Sequence, residues 1–312
     1  MTKSIFQTCF LIGLILWSTI STFGQTSNQG KNNFIDVDGA RLFVRSVGSG
    51  KPIIIVHGGP GMSHDYLTPQ LIDLLHSDYQ LIFYDQRASG RSTGVDDTTR
   101  LTMAQFVSDL ETLRQQLKIK QLDLLGHSFG GLLAMYYAIS YPNNVNKLLL
   151  LDSSPASWEL NFPYFRKTIA ERQTEQDRQE LSDIEQRVDF ATNPELMDRY
   201  MKTYFKTFFK DPTLSQSLFL GIDKKWISNF NITNNLVWKD LGKYDIHDKL
   251  SKITAPTLVV HGDASVISVK GAEAIAKMIP NSKLVILKDV GHFPYIEVPN
   301  KISTTVKEFF GK

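Results

Sequence analysis

The chain of 312 residues contains a single cysteine, Cys9. That excludes a disulfide framework and any cysteine-based metal site. Excess charge is also lacking: 34 Lys and Arg stand against 32 Asp and Glu, a formal net charge of +2. A nucleic-acid partner would need a clustered basic surface, and this balance gives no support for one. There is no internal repeat and no low-complexity tract. Long apolar runs are absent except at the start, where Ile5 to Ile20 is shorter than the ~20 residues of a spanning helix. With Lys3 before it and "TFG" after it, this run reads as a secretory signal, residues 1–24, cleaved after Gly24, with an uncleaved anchor as the alternative. The expected mature protein has no cysteine and no stable membrane span, and is secreted or periplasmic. What the chain does possess is 42% hydrophobic against 21% charged residues, enough for a sizeable core.

Strand and helix patterns alternate along most of the sequence. "FIDVDGARLFVRSVG" suggests a hairpin turning at Asp38-Gly39. "PIIIVHGG" and "QLIFYDQR" are apolar runs of the kind expected in strands covered on both faces, and "LDLLGHS", "VNKLLLLDSS", "PTLVVHG" and "KLVILKDVGH" read as further strands. Between them lie helical patterns. In one, Phe106, Leu110, Leu113 and Leu117 share a face, with Thr102 as the expected cap. Such alternation predicts an α/β fold with a mostly parallel sheet and helices on both faces. Residues 155–245 break the rhythm, with helices rich in charge and aromatics. Leu181, Ile184 and Val188 recur there at helical spacing, and so do Tyr200, Tyr204 and Phe208, with Phe205 and Phe209 beside them. The aromatic set is expected to pack onto the sheet domain, to wall a pocket, or both. The expected organisation is a core of residues 30–154 and 246–312 with a helical cap, residues 155–245, inserted between.

Three motifs carry the chemistry. Gly126-His127-Ser128-Phe129-Gly130 fits G-x-S-x-G and lies between a predicted strand and a predicted helix. A serine at so tight a turn projects its hydroxyl from the sheet edge, and the residues two away must be small. "HGGPG", His57 to Gly61, follows another strand. Its few side chains let the backbone approach a ligand, so the N–H groups of Gly59 and Phe129 are the candidate oxyanion hole. His57 is expected to orient this loop. His292, after the last strand in "VGHFPY", is the candidate general base, because the nucleophile comes first and the histidine last in the chain.

Taken together, these residues resemble the α/β-hydrolase superfamily, and more narrowly its prolyl iminopeptidase-related group, to which "HGGPGMSHDYL" and "YDQRASGRSTG" are specific pointers. The resemblance covers about residues 34–312. It implies an eight-stranded sheet, a Ser-Asp-His triad, and hydrolysis of an ester or amide through an acyl-enzyme without cofactor or metal. Its substrate would be a small molecule or short peptide, and the oligomeric state stays open. The chain departs from the group in places. Ala88 replaces a Gly, and His127 and Phe129 replace the Gly and Trp usual in the aminopeptidases. Asn229 falls where some relatives place a Glu that grips the substrate's free amine, which would weaken recognition of an ammonium group. The group's acid normally follows the seventh strand as G-x-x-D, and here that place is Ser265. Asp152, ending "KLLLLD" on the strand expected between those of Ser128 and His261, is the leading candidate acid. Asp263 is the second, Asp289 a weaker one, and no acid at all is the remaining alternative. Three readings therefore compete: an exported serine hydrolase acting on a small ester or amide with an apolar acyl part, a proline iminopeptidase, and a catalytically impaired ligand-binding protein.

Overall fold

The computed structural model describes residues 30–311; the expected signal, residues 1–24, lies outside them. Eight strands form one sheet: β1 (Lys31–Val37), β2 (Ala40–Val47), β3 (Lys51–Val56), β4 (Tyr79–Tyr84), β5 (Leu122–His127), β6 (Val145–Leu151), β7 (Thr257–Gly262) and β8 (Ser282–Leu287). Ten α-helices accompany them among the described residues: α1 (Thr68–Leu75), α2 (Met103–Gln116), α3 (Phe129–Ser140), α4 (Trp158–Arg172), α5 (Glu175–Glu185), α6 (Pro194–Phe205), α7 (Lys224–Leu241), α8 (Val269–Met278), α9 (Pro294–Glu297) and α10 (Pro299–Phe310). The strand order is β1-β2-β4-β3-β5-β6-β7-β8, with β2 antiparallel to both neighbours and all pairs from β4 to β8 parallel. None of the described helices is long and apolar enough to cross a membrane.

The apolar runs end up in the central strands because both faces are covered. Alternate residues point to opposite sides. Ile54, Val56, Leu124, Leu148 and Leu150 meet α2 and α3, while Ile53, Ile55, Leu125, Leu149 and Leu151 join the core under α1 and α10. Edge strand β1 is mostly exposed, as its polar sequence requires. The hairpin turns where expected, Val37 pairing with Ala40 and Gly39 adopting φ +71°. Thr102 caps α2, its hydroxyl accepting from the Gln105 N–H at 3.2 Å.

Between β6 and β7 the chain carries helices α4 to α7. It enters and leaves this segment side by side: Ser157 bridges Asp245, Trp158 N–H donates to the Tyr244 carbonyl at 2.8 Å, and Ile246 N–H to that of Ala156 at 2.9 Å. Leu181 and Ile184 are buried as their spacing predicts. Val188 is not: α5 ends at Glu185, and Val188 lies beyond it, fully exposed. The Tyr200–Phe209 aromatics do both of the things expected of them. Phe205, Phe208 and Phe209 are buried where the insertion packs onto the sheet core, and Tyr200, Tyr204, Phe205 and Phe208 also face a cavity described below.

The segment after β4 is fastened by buried charge. Arg87 is fully buried and its guanidinium donates to both Asp109 oxygens, at 2.9 and 2.7 Å, and to the Asp38 carbonyl at 2.6 Å. Burial pushes the Asp109 carboxyl up, against the opposing pull of Arg87. Removing the cation alone would strand that charge, so Arg87→Met should lower unfolding free energy by about 3–5 kcal/mol. The Arg87→Met/Asp109→Leu pair should recover most of the loss. Urea denaturation of the three proteins checks this; a single-variant loss under ~1 kcal/mol would mean the pair is structurally idle.

Candidate active site

Ser128 sits between β5 and α3 with φ +56° and ψ −127°, a conformation L-residues rarely adopt. The surrounding glycines make it possible. A Cβ on Gly130 would lie 2.1 Å from the Val56 carbonyl oxygen of β3, and one on Gly126 2.7 Å from the Gly130 carbonyl oxygen. The turn is thus pressed against the neighbouring strand, and Ser128 N–H donates to the Leu151 carbonyl at 3.3 Å. The serine is half-buried at the floor of a cavity of about 460 Å³, next to the N-terminus of α3.

Gly59, Phe129 and His292 line the same cavity. Gly59 has φ +50°, and its loop is held from behind by His57. The His57 Nδ1–H donates to the Gly58 carbonyl at 2.9 Å, and its Nε2 accepts from the Gln86 N–H at 3.0 Å. Burial lowers the His57 pKa to about 4, so it is a neutral brace at ordinary pH. Asp85 and Arg91 tie the loop further. Asp85 accepts from the His64 N–H and Nδ1–H and from the Arg91 N–H, while Arg91 forks onto both Asp65 oxygens at 2.6 and 2.7 Å. Burial opposes ionisation of Asp85, yet His64 and Arg91 hold its carboxyl well below the usual range. Ala88, where a Gly was expected from the resemblance, does adopt a glycine-like φ of +53°.

Of the candidate acids, Asp152 is the one the structure brings to His292. Asp152 directly follows β6 at φ +45°, fully buried, and its Oδ1 accepts from the His292 Nδ1–H at 2.8 Å. Ser265 assists, its hydroxyl donating to the same oxygen at 2.5 Å while accepting from the Ile267 N–H at 3.0 Å; its Oγ lies 3.3 Å from His292 Nδ1. Gly262 N–H donates to the other Asp152 oxygen at 2.9 Å. Burial works to raise this carboxyl, but nearby His261, His292 and Ser265 overcome it and lower the pKa to about 2. Asp263 is not brought to the site. It is exposed, and its carboxylate accepts from the Asp289 N–H at 2.7 Å, capping the turn after β8. Two residues along an extended chain is too great a displacement to be recovered without rearranging the loop. Asp289 lies in that turn, past the end of β8, exposed and paired with Lys210.

The insertion supplies the cavity's roof. Phe162, Phe165, Tyr200, Tyr204, Phe205, Phe208, Phe230 and Trp238 line it. Helix α7 rests on the core loops: Asn234 Nδ2–H donates to the Pro60 carbonyl at 3.2 Å, Thr233 Oγ–H to that of Ala88 at 2.9 Å, and a Cβ on Gly61 would lie 2.8 Å from the Phe230 carbonyl oxygen. Asn229 is buried on this helix but does not line the cavity, contrary to its expected place at the substrate amine. The cavity-facing positions are 230, 234 and 238, a period-four stripe that helical spacing could have disclosed. Sequence reasoning also gave no role to Tyr66, which lines the cavity, or to Glu297. A larger open cleft, about 600 Å³, lies beside Arg172, Lys206 and Lys210 and includes none of Ser128, Asp152 or His292 in its wall.

Residues 51–299 match the α/β hydrolase fold family. The chain is 31% identical to a proline iminopeptidase of Saccharolobus solfataricus over 271 residues, 85% of this chain and 86% of that one. Among solved structures, an esterase from Exiguobacterium antarcticum superposes with a TM-score of 0.70 at 25% identity, covering 90% of this chain and all of that one. The proline iminopeptidase of Mycobacterium smegmatis superposes at 0.66 with 22% identity, covering 89% and 97%, a likeness of fold. The chain therefore belongs to the α/β-hydrolase family, in its proline iminopeptidase-related group. It is an enzyme of the serine hydrolase type.

Glu297 adds a titration to this site. Its two oxygens accept from the Gly291 N–H at 2.9 Å and the Lys210 N–H at 3.0 Å, joining the His292 loop to the insertion. Burial raises its carboxyl to about 7, against the pull of those N–H groups. An acid with a raised folded-state pKa favours the fold below its unfolded pKa and loses that contribution as pH rises through the folded value. The melting temperature of Glu297→Gln relative to wild type should therefore become more favourable between pH 5 and pH 8. Thermal unfolding at both pH values tests this; a flat difference would place the ionisation of Glu297 outside that window.

Proposed function

We propose that the protein hydrolyses small, uncharged esters or amides with an apolar acyl part through an acyl-enzyme. The observation that carries this reading is the cavity wall. Ser128 and His292 open into a space lined by eleven aromatic side chains and, among the described residues, by no Asp, Glu, Lys or Arg. An apolar acyl group gains from burial there, whereas a charged group would lose its hydration without finding a partner.

In this mechanism the Ser128 hydroxyl attacks the carbonyl carbon and His292 Nε2 takes its proton. Asp152, bonded to Nδ1–H, fixes the tautomer and stabilises the imidazolium. The oxyanion is received by the Gly59 and Phe129 N–H groups, at the positive end of α3. Collapse expels the alcohol or amine, which takes the proton back from His292. Water then repeats the attack on the acyl-Ser128 and frees the acid. Helices α4 to α7 act as the cap that encloses the acyl group.

The second reading, a proline iminopeptidase, is favoured by the names of the relatives. An N-terminal proline carries a cationic amine, and the cavity offers it no carboxylate. The reading of an impaired binding protein loses its main support, because Ser265 holds an acid in place here and is not a substitute for one. Export is also proposed, supported by the sequence of residues 1–24 alone; N-terminal sequencing of the mature protein from its native host would reveal Thr26-Ser27 near the new terminus, or an intact start.

Asp152→Asn should lower kcat about 10⁴-fold by presenting the wrong tautomer to Ser128, while Asp263→Asn stays within about twofold. A fluorophosphonate should label wild type at Ser128 and not Ser128→Ala. Equal activity of the two aspartate variants would remove Asp152 from the mechanism. In parallel, p-nitrophenyl acetate and longer apolar p-nitrophenyl esters should be cleaved with higher kcat/KM than proline p-nitroanilide. The opposite order would replace this reading with the aminopeptidase.

A further inference from the structure

One set of buried polar groups beside Ser128 has no part in the mechanism above. Gly58 N–H donates to Tyr66 Oη at 2.7 Å. Tyr66 Oη lies 2.8 Å from His127 Nδ1, and His127 Nε2 lies 2.8 Å from the His292 carbonyl oxygen. The ends of this chain fix its direction. A peptide N–H can only donate and a carbonyl oxygen can only accept. His127 Nε2 must therefore carry a proton, since a lone pair there would face the carbonyl oxygen. Burial, with a smaller contribution from His292, lowers the His127 pKa to about 3, so Nδ1 is bare and accepts the Tyr66 O–H. Each member then has one protonation state and one partner on each side.

We propose that Tyr66 and His127 are positioning residues, a neutral brace that sets the oxyanion loop and the His292 loop in fixed register on either side of Ser128. The brace rests on the reading of Ser128 as nucleophile. One end holds the amide next to Gly59. The other holds the backbone of the proposed base itself. The middle is the residue directly before the nucleophile, His127, which occupies a place where the aminopeptidases resembled by the sequence have Gly. Close packing leaves the brace little play. A Cβ on Gly58 would lie 2.7 Å from Ser128 Cβ and 2.8 Å from Tyr66 Oη. The His127 ring stacks on Phe293 with centroids 5.7 Å apart, and Tyr295 O–H donates to the Tyr66 carbonyl at 3.2 Å. Misplacing a reacting group by about 1 Å can cost about 10²-fold, so a brace of this kind acts on kcat and spares KM.

The test compares Tyr66→Phe, His127→Phe, the double variant and His127→Gln for ester turnover and for the rate of fluorophosphonate labelling. Tyr66→Phe and His127→Phe should each lower kcat and labelling about 10- to 10²-fold with KM within about threefold. The double variant should be no worse than the poorer single, because one broken link empties the whole chain. His127→Gln, which keeps a donor toward the His292 carbonyl, should recover part of the loss. Tyr66→Phe with kcat within twofold of wild type, or losses that multiply in the double variant, would overturn the brace. A measurement on the unaltered protein covers variants that fail to fold: ¹⁵N imidazole shifts should show His127 as the neutral Nε2–H tautomer throughout pH 5–9. A titrating or Nδ1–H His127 would overturn the proposal. Wild type that is not labelled at Ser128 would instead sink the reading on which the brace rests, whereas a labelled wild type with an equally labelled Tyr66→Phe would sink the brace alone.

Discussion

The reversal at Ser128 is the constraint on which the site depends. A non-glycine residue at φ +56° is unfavourable on its own. It persists because Gly126, Gly130 and Gly131 let the first turn of α3 close onto β3, β5 and Ser153 with no side chain between. That contact places a helix N-terminus, a hydroxyl and the loop after β3 within one small volume. A methyl group at position 130 would separate α3 from β3 and, with it, the Phe129 amide from the Gly59 loop. Strain in one residue is thus held by the packing of three others.

Sheet order does the rest. β5, β6 and β7 are adjacent, so the residues following their C-terminal ends share one rim. Ser128 follows β5, Asp152 follows β6, and Ser265 lies just past β7; His292 arrives on the loop after β8. An acid can reach the imidazole from either of two neighbouring strand ends, and here β6 provides it while the β7 loop provides the hydroxyl that steadies it. The Asp152 carboxylate accepts three hydrogen bonds, which offsets the loss of water around a fully buried charge. The charges of Asp85, Arg91 and Asp65 are likewise spent on one another behind the oxyanion loop, leaving the cavity itself neutral.

Much of this was legible in the sequence because it is local. Continuous β-branched runs specify covered strands, and G-x-S-x-G encodes its turn through glycines only two residues away. The Asp38-Gly39 hairpin and the Thr102 cap are of the same kind. What escaped depends on contacts distant in sequence. Asp152 and His292 are separated by 140 residues, and no spacing rule distinguishes Asp152 from Asp263 until the loop after β7 is seen to turn Asp263 outward. Asn229 was placed by likeness to a motif, but α7 turns its 230, 234 and 238 face to the cavity instead. Val188 continued a helical pattern whose helix had already ended. Tyr66 stood inside a quoted motif, but its partner lies across the fold at His127.

The insertion is therefore less independent of the chemistry than its separate composition suggests. It supplies most of the cavity's apolar wall, yet it is fastened to the elements that hold the reacting groups. Thr233 and Asn234 bind carbonyls of the two loops beside the oxyanion site, and His292 N–H donates to the Phe208 carbonyl at 2.7 Å. Gly291 has room for no side chain because Phe208, Lys210 and Glu297 press on it. A change in the wall at Phe208 or Phe230 thus reaches the backbone that positions His292 or Gly61. On the proposed reading, the same contacts set both the fit of the acyl group and the placement of Ser128 and His292, so a substitution that reshapes the cavity also moves those two residues.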